Sequence, residues 1–426
     1  MAIEPPHYIP PVPHPRLATV TAQFRAATLD GPFRALRYPD FRRFATGQTV
    51  SLVGTWMQQI AQGWLVLELT GSPFAVGLVT TLNTLPILLF TLYGGVVADR
   101  VDKRRFIMLL QTVMLVEAAL LAWLTLTDRV TVEWIWALAL AFGLATAFEV
   151  PTRQSYLVEL VPAEDLVSAA ALNSTIYNLA RVIGPSVAGV ILAIAGPGAC
   201  FALNAISYLG ILVGLVRIRH RSSPGQAGRR PSVFTGVQFI ASRPLLKALA
   251  QQMVLISVFA VSFIPILPVY ARDVLGTGAS GYGALTSAIG VGAALGAFIV
   301  GGLGRRIPRS RLASVGAVLL SLTVVLLATV HHLGIAMACL AIGGAAMATT
   351  GISTATSLQL EATPDLRGRV MAVYSFVVLG LTPIGAFQAG WVAEHLGTPL
   401  AIGLSGGVSL LGALVLRRRL LVPVEG

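Results

Sequence analysis

Charge is the scarcest ingredient of this chain: of 426 residues only 11% are Asp, Glu, Lys or Arg, against 55% hydrophobic. Ordinary soluble domains carry about a quarter charged residues, so this composition excludes a chain that faces water all round. Cysteine is nearly absent too. Cys200 and Cys339 both sit within apolar runs, which argues against a disulfide framework and leaves them as small apolar residues. No His-Glu-x-x-His, Cys-x-x-Cys, Gly-x-Ser-x-Gly or phosphate-loop pattern occurs, so the sequence offers no enzyme chemistry, no metal or other cofactor, and no means of using ATP within the chain. His331-His332, in a short turn, reads as a polar interfacial pair rather than a metal site. No cleavable leader is expected, because Met1 to Pro15 is proline-rich and has no apolar core.

What the chain has instead is apolar length. Phe74 to Ala98 carries no charge across 25 residues, and Phe106 to Thr127 carries only Glu117. At about 1.5 Å per residue, each run crosses a hydrocarbon core of about 30 Å. Twelve spans are expected, over residues 44–68, 74–98, 106–127, 133–153, 167–195, 198–216, 248–271, 281–304, 312–330, 334–357, 369–393 and 398–416. They divide the chain into an amino-terminal arm (1–43), a first six-helix bundle (44–216), a linker (217–247), a second bundle (248–416) and a tail (417–426). The arm's first residues read as disordered, and those after Arg16 as a basic amphipathic segment on the membrane surface.

A net charge of +12 would suit nucleic acid, but its placement excludes that partner. Of the 30 Lys and Arg, 27 fall in the arm, the alternate loops and the tail, all on one side of the membrane. Only Arg129 and Arg272 lie in opposite-side loops, and Arg181 lies inside a span. By the positive-inside rule both termini are expected in the cytoplasm, with the chain in the cytoplasmic (inner) membrane.

The two halves echo each other at an offset of about 200 residues, the signature of a parallel repeat. Arg37-Tyr38-Pro39 matches Arg243-Pro244, Pro185 matches Pro383, Gly196 matches Gly397, and the hinge Gly94 to Arg105 matches Gly301 to Arg311. In the first hinge, Gly95, Asp99, Arg100, Lys103 and Arg104 stand in a G-x-x-x-D-R-x-x-K-R arrangement that resembles the signature loop of the major facilitator superfamily. Asp102 departs from the family's usual glycine. The run Glu149-x-Pro151-x-Arg153-Gln154 resembles a segment of one branch of that superfamily, and Gly184-Pro185-x-x-x-Gly189 resembles its exporter-associated motif. The chain resembles the drug and siderophore efflux branch, and in its first half is similar to enterobactin-exporter-like and macrolide-efflux-like proteins.

The resemblance implies an all-α membrane fold of twelve helices in two pseudo-symmetric bundles, with spans one, four, seven and ten lining a path between them. It also implies a conformational latch. Asp99 would accept hydrogen bonds from the positive amino end of a facing helix, such as span eleven, and hold the cytoplasmic side shut in the outward-open state. Arg305 stands where the second copy would need its acid, so an asymmetric latch is expected. Gly184, Pro185 and Gly189 permit close approach and bending where the bundles slide.

Polar residues within the spans mark where mechanism should lie. Gln48, Ser51, Thr55, Gln58 and Gln62 recur every three or four residues, one polar stripe down span one. Facing lipid would be costly, so the stripe faces either the substrate path or neighbouring helices. Thr349, Thr350, Ser353, Thr354 and Ser357 repeat the theme in span ten, and Trp56, Trp64 and Tyr177 offer stacking surface beside Asn178. Glu117 and Arg181 each cost about 2.5–3.5 kcal/mol in mid-membrane unless compensated. Their depths allow a mutual pair. Glu117 reads as a proton carrier or as a structural partner, and Glu149 with Arg153, four apart, as a charge relay or a solvated pair.

The function expected is a secondary transporter, not an enzyme. It would export small amphiphilic organic molecules in exchange for protons, as a monomer within the lipid bilayer. An importer or uniporter of the same fold, and a non-transporting scaffold, remain open from sequence.

Overall fold

A computed structural model describes residues 33–220, 233–304 and 306–421. Expectations placed on the arm before Phe33, on linker residues 221–232, on Arg305 and on the last five residues lie outside the described residues.

The described chain is helical, with no strand. Its first crossings are α1 (Pro39–Thr70), α2 (Pro73–Arg100), α3 (Lys103–Leu126) and α4 (Val132–Glu159). Local chemistry sets their ends. Pro39 and Pro73 occupy first turns where no amide donor is needed, the Ser72 hydroxyl accepts from the amide of Ala75 at 3.1 Å, and Gly71 closes α1 at φ +66. The next helix, Leu166–Arg217, is two crossings in one: Gly196, at φ +74, turns the chain between α5 (166–195) and α6 (197–217). Gly397, its partner in the repeat, does the same at φ +86.

After a short connecting helix (Val233–Ser242), α7 (244–274) departs from a regular rod. Pro265 and Pro268 remove amide donors there, and the helix breaks into a wide turn at Ile256–Ala260, a short helix at Leu267–Val269 and a final turn at Tyr270–Val274. The chain continues with α8 (Ala279–Leu303), α9 (Arg309–Leu327) and α10 (Leu333–Glu361). Then come α11 (Pro364–Ser375, a wide turn at Phe376–Gly380, Thr382–Leu396) and α12 (Thr398–Leu421).

Among the described residues nine helices are long and apolar enough to cross a membrane. One of these holds both α5 and α6, and α1, diluted by its polar stripe, and α7, broken by its prolines, complete the twelve. Lipid gives helices no hydrophobic reason to associate, so packing relies on close approach at small residues. Gly47 and Gly54 bring α1 onto α6, while Gly292, Gly296 and Gly344 bring α8 onto α10.

The two bundles meet at one end only. One buried core runs through both halves at the end away from residues 33 and 421, whereas each half has its own separate core at the terminus-bearing end. In the shared region Gly77 of α2 abuts Gly390 of α11, and Gly189 of α5 abuts Gly283 of α8. Trp64 stacks on Tyr282 at 6.1 Å and Phe74 meets Phe387 edge-on at 5.5 Å. The Ser287 hydroxyl donates to that of Ser186 at 2.9 Å. Toward the other end Tyr93 of α2, Val167 of α5 and Phe298 of α8 are all exposed.

This arrangement predicts that cysteines replacing Ser186 and Ser287, with Cys200 and Cys339 changed to alanine, form a disulfide under mild oxidation. After cleavage at a protease site placed in the linker, the halves should migrate together on a non-reducing gel; separate migration would contradict the close approach of α5 and α8.

Candidate functional site

The polar stripe of α1 turns into its own bundle. Ser207 of α6 donates through Oγ to Asn204 Oδ1 at 2.9 Å, Asn204 Nδ2 donates to Gln58 Oε1 at 2.7 Å, and Gln58 Nε2 donates to both carboxylate oxygens of Glu117 at 2.9 and 3.1 Å. All four side chains are buried, and Glu117 is only 3% exposed. A hydrogen-bonded line therefore ties α6 through α1 to α3. Gln62 accepts from Asn83 of α2 at 3.0 Å, and the hydroxyls of Thr55 and Tyr208 lie 3.1 Å apart. Gln48 and Ser51 are likewise buried.

Thr55, Gln58 and Gln62 of this stripe thus meet neighbouring helices of their own bundle. Gln48, Ser51, Gln58 and Gln62 do not lie on the surface between the halves. Asn204 and Asn83 supply partners from neighbouring helices to Gln58 and Gln62, and Tyr208 one to Thr55, whereas Gln48 Oε1 and Gln62 Nε2 are buried without a protein partner. Asn83, Asn204 and Tyr208 are all uncharged, and a search weighted toward charge passes over them. In α10, Thr350 donates within its helix to Ala346 O at 2.9 Å, and Ser353 and Thr354 are fully buried.

Glu149 and Arg153 form a buried ion pair, Nε to Oε1 at 2.8 Å, and Gln111 of α3 donates to the same Glu149 oxygen at 3.2 Å. With side chains 6% and 7% exposed, this is not a solvated pair. Removing one member of such a pair typically costs about 3–5 kcal/mol, because the other charge is left uncompensated.

Glu117 and Arg181 do not pair with each other. They share a depth but face different ways: Glu117 points into the first bundle, whereas Arg181 on α5 lies over the Trp56 ring at 5.8 Å, with Nη2 3.8 Å from Met347 Sδ of α10. Trp56 meets Tyr177 edge-on at 5.8 Å, and Asn178, exposed, donates to Ser174 O at 2.8 Å. Trp56, Tyr177, Asn178 and Arg181 thus gather where the two halves begin to part. Among the described residues no carboxylate pairs with Arg181.

The hinge residues fasten the first half to itself. Lys103, buried, pairs with Glu159 at the end of α4 at 2.5 Å. Arg104 donates to Leu215 O and Val216 O at 2.7 and 2.9 Å, a cation at the carboxyl end of α6. Asp102 accepts from the amide of Arg105 at 3.1 Å and so caps α3, which gives the departure from glycine a local role. Gly95 is buried, Asp99 half-buried and Arg100 exposed. Gly184 packs on Val53 and Trp56 of α1, Pro185 is buried, and Gly189 faces Gly283, so this run touches both bundles.

Two further charges, which sequence reasoning left among the loops, bridge the halves at the far end. Glu394 of α11 accepts from Ser72 Oγ at 2.7 Å and from the amide of Phe74 at 3.1 Å, placing a carboxylate at the amino end of α2. Arg272 donates to Leu67 O at 3.1 Å and Gly71 O at 3.4 Å, placing a guanidinium at the carboxyl end of α1. The signal that could have found them is a helix-capping one: free carbonyls and amides flank the short Gly71-Ser72 turn.

A family model described as Transmembrane secretion effector matches residues 30–426. The Enterobactin exporter EntS of Escherichia coli O1:K1 is 25% identical over 376 residues, covering 88% of this chain and 90% of that protein. The Staphyloferrin A transporter of Staphylococcus aureus is 31% identical over 166 residues, covering 39% of this chain and 42% of that protein. Among solved structures, an inward-facing bacterial homologue of the human lysosomal transporter Spinster superposes with a TM-score of 0.66 at 14% identity over 89% of this chain and 94% of that one. A POT family transporter in complex with 5-aminolevulinic acid superposes with 0.69 at 15% identity, over 90% and 96%.

The hydrogen-bonded line predicts a non-additive pair of substitutions. Gln58→Leu leaves the Glu117 carboxyl without its side-chain donor and should cost about 1–3 kcal/mol in thermal or chemical unfolding. Adding Glu117→Leu should recover part of that loss. Strictly additive losses would contradict the coupling.

Proposed function

Because this chain belongs to the Transmembrane secretion effector family of the major facilitator superfamily, and is therefore a membrane transporter, we propose that it exports small amphiphilic organic molecules, drug-like or siderophore-like, in exchange for protons. The observation that carries this reading is the asymmetry of the two ends: one shared core where the halves meet, two separate cores where they part. With the basic loops in the cytoplasm, the parted end faces inward, as an exporter loading its cargo requires. The cargoes of the relatives, enterobactin and staphyloferrin A by the names of their carriers, support a siderophore-like solute.

The wall between the halves suits such a solute. Trp56 and Tyr177 provide aromatic faces, Asn178 an amide and Arg181 a cation. Behind that wall, Glu117 and Glu149 are carboxyls buried within the first bundle's long helices, with Arg153 beside Glu149. Proton exchange at these groups, as access shifts from one side to the other, is the coupling step of the proposal. Asp99, with Gly95, Arg100, Lys103 and Arg104 around it, would act in the opposite state, when the cytoplasmic end closes. A monomer in the cytoplasmic membrane, both termini inside, completes the reading.

Proteoliposomes with an imposed pH gradient test it, with iron-free enterobactin and ethidium as probes. Wild type should move at least one of them against its concentration gradient, and Glu117→Gln or Glu149→Gln should reduce that uphill movement at least tenfold while sparing downhill exchange. Undiminished transport after collapse of the proton gradient would instead point to a uniporter or importer, and no flux of any solute to a scaffold. If both variants pump normally, these carboxyls do not carry the protons.

A further inference from the structure

Away from the crevice, the second bundle holds a cavity of about 630 Å³ at the terminus-bearing end. That is within the roughly 300–1,000 Å³ typical of small-molecule sites. Its floor is made of small residues, among them Gly316 of α9 and Ala345 of α10, and its walls of longer apolar ones, among them Ile299 of α8 and Leu319 of α9. The floor is shallow for a reason: Gly316 lets α9 approach α10 so closely that an added Cβ would strike the Thr350 hydroxyl. Ile299 and Leu319 are exposed, so the cavity opens on the face that lipid covers.

Two cations stand at the same cavity. Arg311 lies in the first turn of α9 and Arg417 near the end of α12, helices that are joined deeper in the bundle by the Ser321 and Ser409 hydroxyls at 2.8 Å. No acid lines the cavity, and among the described residues neither arginine forms an ion pair. Guanidinium groups bind phosphate through paired N–H donors, and basic pockets between membrane helices suit anionic headgroups.

We propose that this cavity binds one anionic phospholipid, its phosphate held by Arg311 and Arg417 and an acyl chain laid over the small-residue floor. Both halves of the ligand are required by what lines the site. Free phosphate would leave the apolar walls without a partner, and a zwitterionic lipid would bring an ammonium toward two guanidiniums. This site is separate from the crevice and stands whether or not the transport reading does.

The test uses the delipidated full chain in detergent, with lipid retention read by native mass spectrometry and unfolding temperature by a thermal shift. Phosphatidylglycerol should be retained and should raise the unfolding temperature by several degrees, while phosphatidylcholine with the same chains and inorganic phosphate should not. Arg311→Gln with Arg417→Gln should weaken phosphatidylglycerol at least tenfold, and Leu319→Trp, which fills the cavity but keeps both cations, should weaken it too. Arg418→Gln with Arg419→Gln, an equal change of charge at the same end, should leave it unaffected. Equal loss in that control pair, equal retention of phosphatidylcholine, or full effect from phosphate alone would each overturn the proposal.

Discussion

Glu394 and Arg272 reach from the second half of the chain to opposite poles of the same short turn in the first. The carboxylate meets the amino end of α2 and the guanidinium meets the carboxyl end of α1. Each helix end carries roughly half an elementary charge, and a complementary side chain there is worth about 0.3–1 kcal/mol, up to about 2 when partly buried. Glu394 is exposed and Arg272 also pairs with Asp273, so solvent screens both contacts and each supplies at most about 1 kcal/mol. A closure of that size holds and can still be released. The glycine contacts beneath it, Gly77 with Gly390 and Gly189 with Gly283, add flat surfaces that part without unthreading large side chains.

The same economy links the crevice to the buried carboxyls. Trp56 and Gln58 are two residues apart on α1, about 200° around the helix, so they look in nearly opposite directions. Trp56 meets Arg181 and Tyr177 at the parting of the halves, while Gln58 holds Glu117 in the bundle interior. A turn or tilt of α1 at the crevice would move Gln58, little more than half a helical turn away, and with it the bond to Glu117. Gln111 provides a parallel link, joining Glu149 on α4 to α3, the helix that carries Glu117.

Much of this was legible in the sequence because lipid enforces simple rules. Apolar length marked the twelve crossings, the repeat paired Gly196 with Gly397, and both take positive φ in matching turns. The Glu149–Arg153 pair was visible from its spacing. What was not legible is rotation. Depth along the chain placed Glu117 and Arg181 side by side, but α3 and α5 turn those residues toward different neighbours. For the same reason the α1 stripe announced a need for partners without naming them. Asn204 and Asn83, which meet part of that need, are uncharged amides among hydroxyl residues and carry no charge to draw attention. The break in α7 follows from Pro265 and Pro268, whose missing amides outweigh an otherwise continuous apolar pattern.

Pulsed electron resonance distances can separate a charged clasp from apolar packing alone. Labels at Asp128 and His331 span the far end, and labels at Gln154 and Thr363 span the other. When Glu394→Gln and Arg272→Gln are introduced together, the far-end distribution should shift to longer distances and the opposite end to shorter ones. Distributions that stay as in wild type at both ends would show that the two helix-end charges do not hold the halves together.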